Sequence, residues 1–157
     1  MALNEKEKTT IKDLQTQEQT CIKKYKKYGQ DAKDPVLKDL FSTLEKNEQK
    51  HYDTLGQILE GKVPECDCND CEGKEYEPEA TYDVMSKSED KESDAFLATD
   101  SIGSEKLVSG EYNTNVFNFA DTANDFIPHT LSLFTSGNGK VIFCKPLLFP
   151  CAHNAAA

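Results

Sequence analysis

The chain has no arginine and no tryptophan. Its 18 basic residues are all lysines, set against 28 acidic residues for a net charge of −10. Phosphate contacts need clustered basic side chains, so this balance excludes a nucleic-acid partner. An anionic membrane surface is excluded by the same sign argument. No apolar run reaches the ~18 residues a membrane-crossing helix needs, and the charged stretch 2–10 predicts no secretory signal. Prolines are sparse until Pro128, Pro146 and Pro150, which leaves most of the chain free to be helical. With 157 residues there is room for one domain with a modest core. The 6 cysteines, in a chain that is not small, suit thiols or ligands in a reducing cytoplasm better than a disulfide scaffold.

What is present is helical periodicity. Asp34 is a good N-cap and Pro35 suits the first helical position. From there Leu37, Phe41, Leu44, Leu55 and Ile58 follow the 4-3 spacing of a packed seam. Two positions in that seam, Glu48 and His51, are polar. Three residues apart, they leave the same helix face. A carboxylate and an imidazole buried there cost several kcal/mol unless paired or metal-bound. Glu-x-x-His facing a bundle interior is also the ligand unit of carboxylate-bridged di-iron and di-manganese bundles.

An all-α protein is predicted, with helices over about 4–28, 35–60 and 93–123 and a crossover linker over 62–92. The first helix carries the seam Ile11, Leu14, Glu18, Cys21, Tyr25, Tyr28. The turn over Gly29–Lys33 makes helices one and two antiparallel neighbours. The third carries Ala98, Ser101, Glu105, Val108, Tyr112, Asn115 and Phe119, flanked by Ile102 and Val116. Gly103 and Gly110 lower its helicity by roughly 1 kcal/mol each relative to Ala, and suggest the close approach of a neighbour. A shift of 87 positions lays Glu18 on Glu105, Tyr25 on Tyr112 and Asp34 on Asp121. Two helical hairpins joined by the long linker are thereby implied.

The repeat also calls for Glu and His near 135 and 138, where Thr135 and Asn138 stand. The tail 124–157 differs in character: it has no glutamate, gains prolines, and carries a Ser-Gly-Asn-Gly turn signal at 136–139. Val141–Cys144 and Leu147–Phe149 read as short strands or apolar patches. The fourth helix is expected to be degenerate or replaced, as a lost reading frame near residue 123 would produce. The apolar patches predict self-association as a homodimer or higher oligomer.

Glu18, Glu48, His51 and Glu105 are the candidate metal ligands, the alternative being a hydrogen-bonded polar layer without metal. Tyr25 and Tyr112, two turns from the carboxylates, either hydrogen-bond the ligands, serve electron transfer, or are core residues with satisfied hydroxyls. Glu111, one position off the seam, is a substitute ligand or part of a solvated face. Cys66, Cys68 and Cys71 have thiolate-cluster spacing, for zinc or iron with Asp67, Asp70 or a distant cysteine as fourth ligand. A redox sensor or incidental thiols are the other readings, and the acidic neighbours disfavour a nucleophile. Cys144, Cys151, His129 and His153 carry little information.

By these seams and Glu-x-x-His at 48–51, the chain resembles the ferritin-like superfamily over about residues 5–122. More narrowly, Ser104-Glu-Lys-Leu-Val-Ser-Gly-Glu-Tyr-Asn-Thr114 resembles the spore coat protein F family of spore-forming Firmicutes. The resemblance implies an antiparallel four-helix bundle with one long crossover. Its relatives include iron stores, rubrerythrin-like peroxidases, manganese catalases and coat proteins of unassigned chemistry. Carried over, the ligands fall on Glu18, Glu48, His51 and Glu105, with iron or manganese as cofactor, dinuclear if complete. A cytoplasmic metal-binding protein with an oxidase, peroxidase or iron-handling role is the expectation, although the fourth-helix ligands have no counterpart, which counts against the catalysis; a structural spore-coat or assembly protein with a relic metal site is the alternative.

Overall fold

The computed structural model describes residues 3–62, 78–79 and 81–120, with side chains described as far as Asn115. Among these residues the protein is all-α: α1 (Glu5–Asp31), α2 (Pro35–Leu59) and α3 (Glu89–Ala120), with no strand. Asp121, the tail over 124–157 and Cys66, Cys68 and Cys71 of the linker lie outside the described residues.

Each helix begins where local chemistry satisfies its first amides. Asn4 opens α1 with a reciprocal capping box. Its side chain accepts from the Glu7 amide at 2.9 Å, and the Glu7 carboxylate accepts from the Asn4 amide at 2.8 Å. Asp34 caps α2 by accepting from the Val36 amide at 2.8 Å, and Pro35 occupies the first turn, where its missing N–H costs nothing. The same helix ends in a Schellman turn. Gly61, at φ 77°, donates to the Ile58 carbonyl, while Lys62 donates to Gln57.

Two boundaries differ from the periodicity reading. The first helix continues through Gly29 to Asp31 instead of stopping at Tyr28. Gly29 lies against Phe41 of α2, so packing carries the helix past a residue that would break an isolated one. The third begins at Glu89, four residues before the expected start. Glu89, Asp90 and Glu92 fill its first turn, where negative charge complements the helix dipole.

α1 packs against both other helices and runs antiparallel to each. Toward α2, Gln15 donates to the Tyr52 carbonyl at 3.1 Å, whereas Tyr25 and Tyr28 reach back to Phe41. Toward α3, Glu18 meets Tyr112, whereas Tyr28 meets Asp100. Hence α2 and α3 run in the same direction. The chain leaves α2 at one end and re-enters α3 beside the start of α2, where Thr81 donates to Asp34 at 2.9 Å. The connection therefore returns the length of a 25-residue helix, about 37 Å at 1.5 Å per residue.

Asp94 clamps that corner. Only 3 % exposed, it accepts from the Lys33 and Asp34 amides at 2.9 and 2.8 Å and from the Tyr82 hydroxyl at 2.7 Å. Burial pulls its carboxyl upward, but these hydrogen bonds outweigh it and hold the group below its ordinary range. Asp94 stands 87 residues after Glu7, also buried, so the repeat extends one seam position further back than the apolar pattern indicates.

The core holds Ile11, Leu14, Tyr25, Phe41, Leu44, Leu55, Ile58 and Tyr112. Leu37 is partly buried, and Leu40 takes the deeper place one turn along. α3 carries apolar residues on more than one side: Leu97 and Val108 are buried, Phe96 and Leu107 exposed. No described neighbour comes within 4 Å of a Cβ built on Gly103 or Gly110.

Two stability predictions follow from this architecture. Asp94→Ala strands two amides at the α1–α2 corner and should lower unfolding free energy by roughly 1–3 kcal/mol in urea denaturation. Gly103→Ala adds a methyl that meets no described neighbour and should raise it by about 0.5–1 kcal/mol.

Candidate metal centre

The three helices meet at mid-height around Glu18 of α1, Glu48 and His51 of α2, and Glu105 of α3. Seam geometry explains why these groups point inward. Glu18 lies one turn from Leu14 and Cys21, and Glu48 and His51 lie between Leu44 and Leu55, so burial of the apolar positions carries the polar ones inward too. Glu18 is 0 %, Glu48 1 % and His51 6 % exposed.

Glu18, Glu48 and His51 each present one ligand atom within 4.8 Å of the others. His51 Nδ1 lies 3.1 Å from Glu48 Oε2 and 3.8 Å from Glu18 Oε2. An ionised carboxylate only accepts, so beside ionised Glu48 the Nδ1 nitrogen carries the ring proton. A cation bound at Nδ1 would displace it. Glu18 Oε2 is buried and has no hydrogen-bond partner among the described residues. Two carboxylates at such depth repel unless a proton or a cation lies between them. An acceptor oxygen without a donor, a second carboxylate and an imidazole nitrogen converging on one small volume fit a divalent metal ion.

Glu105, the fourth expected ligand, stands beside the triad and outside it. Its carboxylate accepts from the Tyr25 hydroxyl of α1. Burial pushes the Glu105 carboxyl up to about 7; the Tyr25 hydrogen bond and the His51 charge pull it down, and the Glu18 charge pushes it up. Tyr112, in turn, donates to Glu18 Oε1 at 2.6 Å. Both tyrosines are fully buried, and burial drives each hydroxyl well above its ordinary value, so both remain proton donors. They are thus core residues whose hydroxyls hydrogen-bond two of the candidate ligands. Glu111 lines the outer groove between α1 and α3 with Lys24 and Ser104, away from the triad.

Two further carboxylates are buried at opposite ends of the bundle, Glu7 and Asp94, neither of them among the expected site residues. Both were findable: the seam spacing extended four residues back from Ile11 and from Ala98 falls on them. Among the described residues, no helix is long and apolar enough to cross a membrane.

The raised Glu105 value sets a pH dependence. Between its ordinary 4.5 and about 7, the folded protein holds a proton that the unfolded chain has released. This group's contribution to metal-free stability therefore falls as pH rises through that window and is level above it. Thermal unfolding across pH 4 to 8 should show the native protein losing stability relative to Glu105→Gln, with the two profiles parallel above pH 7. The chain matches no protein-family model, no curated protein and no solved structure, so its function is read from these residues.

Proposed function

We propose that the protein is a ferritin-like carboxylate–histidine bundle that binds iron or manganese at Glu18, Glu48 and His51, with Glu105 as the adjoining carboxylate. The observation that carries this reading is the convergence of three buried ligand atoms within 4.8 Å, drawn from two helices. The long return between α2 and α3 supports the bundle topology, since one long crossover is the mark of ferritin-like connectivity. A fourth element beside α2 and α3 would come from the chain beyond residue 120 or from a second copy.

A bound iron or manganese ion would supply Lewis acidity and one-electron redox chemistry. The protein's own contribution is to supply two oxygen donors, an imidazole and a closed surround. Glu18 and Glu48 offer carboxylate oxygens that suit these ions, and imidazole completes a mixed set. His51 loses the Nδ1 proton on binding, and Glu105 loses its own if it joins. Metal uptake should therefore release protons and strengthen as pH rises toward 7.

With only Thr135 and Asn138 where a second Glu-x-x-His would stand, the ligand count favours one ion over two. Elemental analysis after loading with iron(II) or manganese(II) tests the reading. The native chain should retain one equivalent per chain after desalting, and Glu48→Ala should lose it. Equal metal content in the two, or none in either, would contradict it.

A further inference from the structure

Phe96 and Leu107 of α3 are 67 % and 62 % exposed, large apolar side chains on the surface of a chain with net charge −10. They belong to one stripe. Phe96, Thr99, Gly103, Leu107 and Gly110 follow one another at steps of three or four residues, and all are exposed. The stripe runs opposite the buried seam of Leu97, Ser101, Val108 and Tyr112. No described neighbour comes within 4 Å of a Cβ built on either glycine. Beside the stripe, between α1 and α3, lies a groove of about 550 Å³ whose lining includes Cys21, Val108, Leu107 and Glu111.

The stripe is self-complementary about Gly103. Phe96 and Gly110 each stand seven residues from it, on opposite sides. That is close to two helical turns, about 10 Å along the axis. Thr99 and Leu107 each stand four residues away. A second α3 laid antiparallel, with a two-fold axis at Gly103, therefore sets Phe96 level with the second copy's Gly110. The ring meets a position with no side chain, next to Leu107 at the mouth of the groove. At the crossing point the two Gly103 residues face each other and let the backbones approach. Each copy offers one knob and one recess on the same face, so the two-fold uses both and the assembly closes at two.

Charge favours the same arrangement. Lys24 of α1 donates to Asp100 at 2.8 Å and to Ser104 at 2.6 Å on the groove side of α3. The two-fold brings the second copy's Asp100 level with position 106, about 3 Å along the axis from Ser104. Each lysine then lies near two aspartates, its own and that of the second copy. Both side chains of the ion pair are partly exposed, at 26 % and 38 %. Opposite charges meeting at the axis offset the repulsion between two acidic chains.

We propose that the outward face of α3 is a two-fold interface with a second copy of this chain, centred on Gly103 and anchored by Phe96 against Gly110 and Leu107. The inference does not depend on the metal-binding reading.

Sedimentation equilibrium at micromolar chain concentration tests it in the native chain, Phe96→Ser, Gly103→Glu and a control, Val84→Ser. Val84 is apolar and 86 % exposed, but it precedes α3 and lies off the stripe. The native chain and Val84→Ser should be dimers. Phe96→Ser should raise the dimer dissociation constant by about 30-fold, the scale of a central aromatic anchor. Gly103→Glu should abolish the dimer while circular dichroism shows helix content at or above native, because glutamate is the better helix former. A monomeric native chain would overturn the proposal. Association unchanged in either Phe96→Ser or Gly103→Glu, through the tail or any other surface, would overturn it too, as would loss of the dimer in Val84→Ser. Should one of the two stripe variants fail to fold, the other decides.

Discussion

Two carboxylates and an imidazole are forced together in a place that water does not reach. Glu18 and Glu48 occupy seam positions that would otherwise hold leucine or isoleucine, and the helices close over them. The energetic cost of that arrangement falls when a proton or a cation is shared among the groups. Three hydrogen-bonded contacts offset part of it: His51 Nδ1 with Glu48, the Tyr112 hydroxyl toward Glu18 and the Tyr25 hydroxyl toward Glu105. Within the triad, the Glu18 oxygen left over is where a positive ion would act most strongly.

The remaining architecture serves to hold these groups at one height. α1 is the shared wall, pairing with α2 through aromatic and aliphatic contacts and with α3 through the two tyrosine–carboxylate hydrogen bonds. The polar contacts of Lys24 and Tyr28 with Asp100 reinforce the second pairing nearer the bundle end. Asp94 sets the corner where α3 begins by holding the Lys33 and Asp34 amides of the turn between α1 and α2, which fixes α3 lengthwise against α1. If α3 slid along α1 by one turn, about 5.4 Å, both tyrosine–carboxylate pairs would be lost together. The reciprocal pair is therefore a register lock as well as part of the site.

The triad was legible because a 3-4 apolar pattern makes an intruding charge conspicuous. Glu48 and His51 stand out between Leu44 and Leu55, as Glu18 does between Leu14 and Cys21. The cap at Asp34 was legible for a similarly local reason, since Asp-Pro before an amphipathic run has few other uses. What eluded the pattern depended on contacts between distant segments. Gly29 reads as a stop until Phe41 is seen packed on it, and the acidic run Glu89–Glu92 reads as linker until it opens a helix. Glu7 and Asp94 lie beyond the last apolar residue of their seams. That Glu105 stands beside the triad, held by Tyr25, follows from the relative placement of α1 and α3, and periodicity within either helix cannot supply it.

The central claim is that a cation belongs between Glu18, Glu48 and His51. Anomalous diffraction from crystals loaded with manganese(II) addresses it most directly. The account predicts a peak within bonding distance of His51 Nδ1 and of one oxygen each from Glu18 and Glu48, with the Tyr112 hydroxyl still on the other Glu18 oxygen. No peak among these residues at saturating manganese, or a peak only elsewhere on the acidic surface, would contradict it.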